Sequence, residues 1–305
     1  MPDSPTPLEP ALAEMGRRWQ ESGIPTLYVG GDASASRERA RCIRAFLYPR
    51  PTIDVASIEP IDLPGPGGPL PCRVVRPQGP AIGTVLFFHG GGWVLGDLDS
   101  HEAHCTRLAA ECQAVVLNVG YRLAPEHPFP AAAEDAMAAL RWAFDRADRL
   151  GGHGKPVAVA GDSAGGNLAA VAALHARDGG LPLCAQLLIY AATDMTRRLD
   201  PDIARWYFGE RIDEQRADWR ASPALATRHT GLAPAIIGVG QHDFLYQDNL
   251  AYAERLRAAG VPLQLREYPE LNHGFFSFTK VSTGSLHAAQ QLCADLRRHL
   301  TEAAA

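Results

Sequence analysis

The sequence predicts an α/β fold: a mostly parallel eight-stranded sheet with helices on both faces and a helical cap. Three observations carry this. From residue 84 onward, short apolar runs alternate with helical patterns, the signature of repeated strand-helix-strand units. Two strand-like runs before that point flank a turn made of Pro64-Gly65-Pro66-Gly67-Gly68. Two stretches, 8–48 and 194–222, fit neither pattern and remain to cover the sheet.

Residues 8–48 read as helical, because Leu8, Leu12, Met15 and Trp19 recur at spacings that give one apolar face. The runs 55–63 and 70–76 form the antiparallel pair that opens the sheet. The alternation follows: strand 84–88, helix 100–111, strand 114–119, helix 131–150, strand 156–160, helix 163–177, strand 185–190. After a charged and aromatic insertion come strand 235–239, helix 247–259, strand 263–268 and a last helix at 284–300. The insertion holds Arg205-Trp206-Tyr207-Phe208 and Trp219, and with the N-terminal helices it is expected to sit above the carboxyl ends of the strands. The reading is one domain, 1–305, with a cap formed by 1–48 and 194–222.

Composition narrows the function. The chain has 305 residues, 46% hydrophobic and 21% charged, enough for a large core. The formal net charge of -5, with no run of Lys or Arg, argues against a nucleic-acid partner. The N-terminus carries proline and acid where an export signal has basic and apolar residues. The most apolar stretch, 81–96, is too short and too rich in glycine to span a bilayer. A soluble cytoplasmic protein without a membrane partner is expected. The six cysteines are scattered with no C-x-x-C pair, which suits reduced thiols.

The strongest local signal is Gly161-Asp162-Ser163-Ala164-Gly165, directly after one strand and before an Ala-rich helix. A sharp strand-to-helix turn there exposes a serine hydroxyl, and the flanking glycines keep side chains out of the bend. A serine alcohol needs a base, and the base needs an acid to fix its tautomer. On such a sheet these follow in the order serine, acid, histidine. Of the histidines after Ser163, His175 and His287 sit in helical patterns and His299 lies near the chain end, whereas His273 falls in a loop just past the last strand. The acid is Asp243, at a strand's carboxyl end; Asp248 is the weaker candidate because it reads as a helix N-terminal residue. His89-Gly90-Gly91-Gly92-Trp93, another strand-end loop, can aim backbone N–H groups at a developing oxyanion, joined by the N–H of Ala164.

With these pieces in place the chain resembles the bacterial hormone-sensitive-lipase-like (family IV) esterases of the α/β-hydrolase superfamily. The resemblance rests on the His89–Trp93 loop, on Tyr121-Arg122-Leu123-Ala124-Pro125-Glu126-His127-Pro128-Phe129-Pro130, on Gly161–Leu168, on Asp243–Asp248 and on His273-Gly274-Phe275, in family order over roughly 80–280. It implies an α/β-hydrolase fold with Ser163, Asp243 and His273 as triad, and with Gly91, Gly92 and Ala164 supplying the oxyanion hole. Phe244 departs from the proline that many relatives carry after the acid, and Ala191-Ala192-Thr193-Asp194 from a more usual Pro-Val-Thr-Asp.

The expected activity is cleavage of short- to medium-chain acyl esters through a covalent acyl-enzyme, on a small-molecule substrate, with no cofactor and no metal. His101-Glu102-Ala103-His104 is one residue short of a zinc motif and reads as a solvated helix start. Trp93, Trp206, Tyr207 and Phe275 are candidate substrate contacts. An arylformamidase-like amide hydrolase would use the same triad. A non-catalytic receptor on the same scaffold is the reading from a different class, and the presence of His273 speaks against it. Many such relatives form a homodimer through the edge of the last strand.

Overall fold

Strands β3 (Thr84–Phe88) and β4 (Val115–Val119) are buried at every position, as near-continuous apolar runs should be when helices cover both faces. Alternate residues divide between the faces. Leu86, Phe88, Leu117 and Val119 join one core with Leu140 and Leu168, whereas Val85, Phe87 and Val116 join the other with Leu108, Leu292 and Leu296. Each fully buried side chain of this size contributes about 2 kcal/mol of transfer free energy. The computed structural model describes residues 6–23, 27–47, 53–152, 154–197 and 199–305.

The remaining strands are β1 (Ser57–Gly65), β2 (Gly68–Arg76), β5 (Val157–Asp162), β6 (Leu183–Ile189), β7 (Ala235–His242) and β8 (Leu263–Asn272). They form one eight-stranded sheet in the order β1-β2-β4-β3-β5-β6-β7-β8. β1 and β2 pair antiparallel through the tight turn at Gly65 and Gly68, β2 runs antiparallel to β4, and all later pairs are parallel. This is the expected α/β-hydrolase architecture. The last two strands run longer than their apolar cores suggest, because the pairing of Gly240 with Tyr268 is followed, after a register shift, by His242 with Asn272.

The helices are α1 (Pro10–Glu21), α2 (Ala33–Leu47), α3 (Glu102–Cys112), α4 (Ala131–Asp145), α5 (Ala164–Asp178), α6 (Pro201–Phe208), α7 (Ile212–Gln215), α8 (Tyr246–Ala258) and α9 (Thr283–Ala304). The helical expectation over 8–48 resolves into α1 and α2, with a bridge between Val29 and Asp32. Residues 24–26 and 48 of that stretch, and 1–5 of the cap expectation, lie outside the described residues. α6 begins on an N-cap: the Asp200 carboxylate accepts from the N–H of Asp202 at 2.9 Å and of Ile203 at 3.3 Å, and Pro201 has no N–H that needs an acceptor.

Two long-range clamps tie the N-terminal segment down. Arg37 on α2 donates to the carbonyls of Val94 and Ala124 at 2.8 Å each, and grips the Glu126 carboxylate with two nitrogens. Its hydrogen bonds come first among the causes that hold the Glu126 carboxyl down to about 2. Glu9 donates its N–H to the Glu270 carbonyl at 2.9 Å, and its carboxylate accepts from the Ser282 hydroxyl and from Thr283 N at 3.2 Å. No helix among the described residues is long and apolar enough to cross a membrane.

Candidate active site

β5 ends at Asp162 and α5 starts at Ala164, so a single residue, Ser163, makes the turn between them. It has φ 55° and ψ -117°, a conformation costly for any L-residue and held because the elements on both sides are buried. The turn brings α5 against β3 so closely that a Cβ on Gly165 would overlap the Phe88 carbonyl, which explains the glycine two residues after the serine.

The structure joins three residues far apart in the chain. His273 Nε2 lies 3.0 Å from Ser163 Oγ, and His273 Nδ1 lies 3.0 and 2.9 Å from the two carboxylate oxygens of Asp243. With both Asp243 oxygens acting as acceptors, Nδ1 carries the proton and Nε2 presents its lone pair to the serine hydroxyl. The Asp243 side chain is fully shielded, whereas the His273 ring keeps 25% of its surface open. Asp243 sits in a turn that its own carboxylate fastens by accepting from Leu245 N at 2.7 Å. The alternative acid, Asp248, instead pairs with Arg197 at 3.2 Å, and burial pushes its carboxyl above the usual range.

On the other side of Ser163 stands the glycine loop. Gly91 has φ 125° and Gly92 φ 61°, values that favour glycine, and at Gly91 a Cβ would also overlap the Leu95 carbonyl. Among the described residues no acceptor takes the N–H of Gly91, Gly92 or Ala164. The loop is tied to the Ser163 turn from behind: Gly90 N donates to Asp162 Oδ1 at 2.9 Å, and Tyr121 OH donates to the His89 carbonyl at 2.7 Å. Asn167, one turn into α5, donates to the carbonyls of Ala192 and Ala221 at 2.7 Å each, fixing the insertion to the same helix.

Of the four aromatic residues expected to touch substrate, all are buried. Trp93 stacks on Tyr207 with centroids 4.3 Å apart and planes 6° from parallel, joining the glycine loop to α6. Trp206 meets Tyr28 at 5.9 Å, and Phe275 packs edge-on against Tyr190 and Tyr268. In this structure these rings pack α6 on the glycine loop and on Tyr28, and the histidine loop on Tyr190 and Tyr268. Ile203 comes closest to the loop from above, where a Cβ on Gly92 would stand 2.7 Å from its Cδ1.

One expectation is corrected. His101 and His104 are not solvated: both are buried, and with Asp162 they bring one potential metal-ligand atom each within 4.8 Å of the others. The i, i+3 spacing faces them inward because the start of α3 packs beside Asp162, against Phe87 and Phe276. His101 Nε2 lies 3.5 Å from Asp162, while Ser100 and Ser277 hydroxyls meet His101 Nδ1 at 2.8 Å and His104 Nε2 at 3.2 Å. The sequence carried no signal for this burial. Phe244 was visible only as a departure from its relatives, yet its ring stands 4.4 Å from the His273 imidazole.

Comparison with known proteins agrees with this geometry. Residues 85–277 match a family model described as alpha/beta hydrolase fold. The chain is 40% identical to a carboxylic ester hydrolase, LipN, of Mycobacterium tuberculosis, over 96% of this chain and 84% of the relative. It is 37% identical to an esterase, LipI, of the same organism, over 89% of this chain and 90% of the relative. Among solved structures, the hyperthermophilic esterase of the archaeon Pyrobaculum calidifontis superposes with a TM-score of 0.87 at 34% identity, covering 98% of this chain and all of the other.

Proposed function

This chain belongs to the alpha/beta hydrolase fold family, in its bacterial hormone-sensitive-lipase-like branch, and we propose that Ser163, His273 and Asp243 carry out its chemistry. The activity is that of a serine carboxylesterase acting on small-molecule esters. The observation that supports the residue assignment is the continuous hydrogen-bonded line from Asp243 through His273 to Ser163, with every link between 2.9 and 3.0 Å.

The reaction runs as acyl transfer. His273 Nε2 takes the Ser163 proton as Oγ bonds to the ester carbonyl carbon, and the carbonyl oxygen becomes an oxyanion. The N–H groups of Gly91, Gly92 and Ala164 receive that charge, a contribution of about 3 kcal/mol per donor in sites of this type. The imidazolium, steadied by Asp243, returns its proton to the alkoxide as the C–O bond breaks, and alcohol leaves an acyl-Ser163 ester. Water then repeats the sequence, releasing the acid and restoring the serine. Gly92 lies under Ile203, so the cap bounds the space beside the loop, which favours short- to medium-chain acyl groups.

A fluorophosphonate probe should label Ser163 stoichiometrically, and Ser163→Ala should lose both labelling and hydrolysis of p-nitrophenyl acetate. Equal turnover by the variant would end the assignment. An acyl-chain series with a maximum at long-chain triglycerides would overturn the chain-length reading, and faster cleavage of an N-formyl aryl amine than of any ester would favour the formamidase alternative. The six free cysteines suit a reducing cytoplasm, and the open edge of β8 suits a homodimer.

A further inference from the structure

Among the described residues, two large hydrophobic side chains are exposed: Ile58, at 37% on the edge strand β1, and Phe244, at 63% beside the candidate triad. Phe244 is not a loosely held surface ring. It follows Asp243 in a turn closed by Leu245 N on the Asp243 carboxylate at 2.7 Å and by Tyr246 N on the Asp243 carbonyl at 3.0 Å. The backbone that holds His273 in line therefore also places Phe244.

Two rings pack against the imidazole. Tyr190, wholly buried, meets it with centroids 4.8 Å apart and planes at 54°; Phe244 meets it at 4.4 Å and 38°. Tyr190 is backed by Phe275, so its side is filled. The Phe244 side opens to solvent. In ester cleavage the leaving oxygen must come within hydrogen-bond reach of His273 Nε2 to collect its proton. Of the two rings against the imidazole, Phe244 is the one exposed to receive the group attached to that oxygen.

We propose that Phe244 is a specificity residue for the alcohol half of the ester: an aromatic platform that favours aryl and arylmethyl leaving groups over small alkyl ones. This rests on the triad reading given above. An aromatic group laid on Phe244 removes apolar surface from water on both partners and adds a ring-ring contact, together about a tenfold gain in kcat/KM.

The test compares benzyl acetate with ethyl acetate, which share the acyl group and have leaving alcohols of similar basicity. The quantity read is the ratio of their kcat/KM values in the full-length protein and in Phe244→Ala and Phe244→Leu. The ratio should fall about tenfold in the alanine variant, and about threefold in the leucine variant, which keeps apolar bulk without the ring face. The position is exposed, so both variants should melt with the parent; were one to fail to fold, the other still gives the ratio. A ratio unchanged within twofold overturns the proposal, including the case in which both esters slow together and the pH profile of kcat/KM moves, because Phe244 would then act only through His273. If the parent cleaves neither ester the proposal falls, and fluorophosphonate labelling of Ser163 decides whether the triad reading falls with it.

Discussion

Replacing Asp162 with alanine should free the glycine loop, the proposed oxyanion hole, from the turn of Ser163, the proposed nucleophile. In the intact protein Asp162 Oδ1 accepts from Gly90 N at 2.9 Å, and Asp162 is one residue from Ser163, so one carboxylate fixes the glycine loop relative to Ser163. Alanine leaves a buried N–H without its charged acceptor, a loss of about 2 kcal/mol in stability. The kinetic loss is separate. If Gly91 and Gly92 shift by a fraction of an ångström, the effect of roughly one donor, about 3 kcal/mol, disappears from the transition state, a fall in kcat of about 10²-fold. KM should barely move, because the hole acts on the oxyanion and not on the ground-state carbonyl. Asp162→Asn keeps an oxygen acceptor toward Gly90 and should stay within tenfold of the parent. The assay is steady-state hydrolysis of p-nitrophenyl acetate alongside urea unfolding. An alanine variant that loses stability while keeping kcat within threefold would refute the idea that this carboxylate aims the loop.

Three other expectations follow from the same geometry. Asp243→Asn should lower kcat by about 10³- to 10⁴-fold with little change in unfolding midpoint, since it permits the wrong imidazole tautomer; a loss under tenfold would shift the orienting role elsewhere. Arg37→Ala removes donors from the Val94 and Ala124 carbonyls and should cost about 2 kcal/mol in urea unfolding. In the same variant the Glu126 carboxyl should rise from about 2 toward the ordinary glutamate range, which an NMR titration would detect. Burial lowers the His229 imidazole below its usual range, so the unfolded chain binds that proton more tightly and stability falls as pH drops through about 6.5. His175, lowered by burial and by Arg141, adds to that slope, and His229→Gln should flatten it in urea midpoints measured at pH 7.5 and 5.5.

Much of the fold was legible because its information is local. Short, mostly apolar runs such as 84–88 read as strands covered on both faces, and Gly161-Asp162-Ser163-Ala164-Gly165 carries its own steric logic within five positions. Asp243 and His273 could be picked by position, since strand-end loops face the same side of a parallel sheet. What packs on a helix start could not be picked. His101 and His104 looked solvated at their spacing, and only the placement of α3 under Asp162 buries them. The aromatic residues of the insertion announced apolar weight without saying whether it faced substrate or core. Phe244 stood out by its identity, but its nearness to the imidazole depends on how a turn and a loop 30 residues apart converge.

Glu9 gives the N-terminal arm a task that its position in the chain conceals. It grips Glu270 with its backbone and Ser282 and Thr283 with its side chain, and His273 lies on the stretch between those points. Glu9, just ahead of α1, therefore staples both feet of the arch that carries His273. A shortened chain starting after residue 9 would keep every element of the sheet yet release that arch, and its defect would be read first as a base out of line, well before any loss of fold.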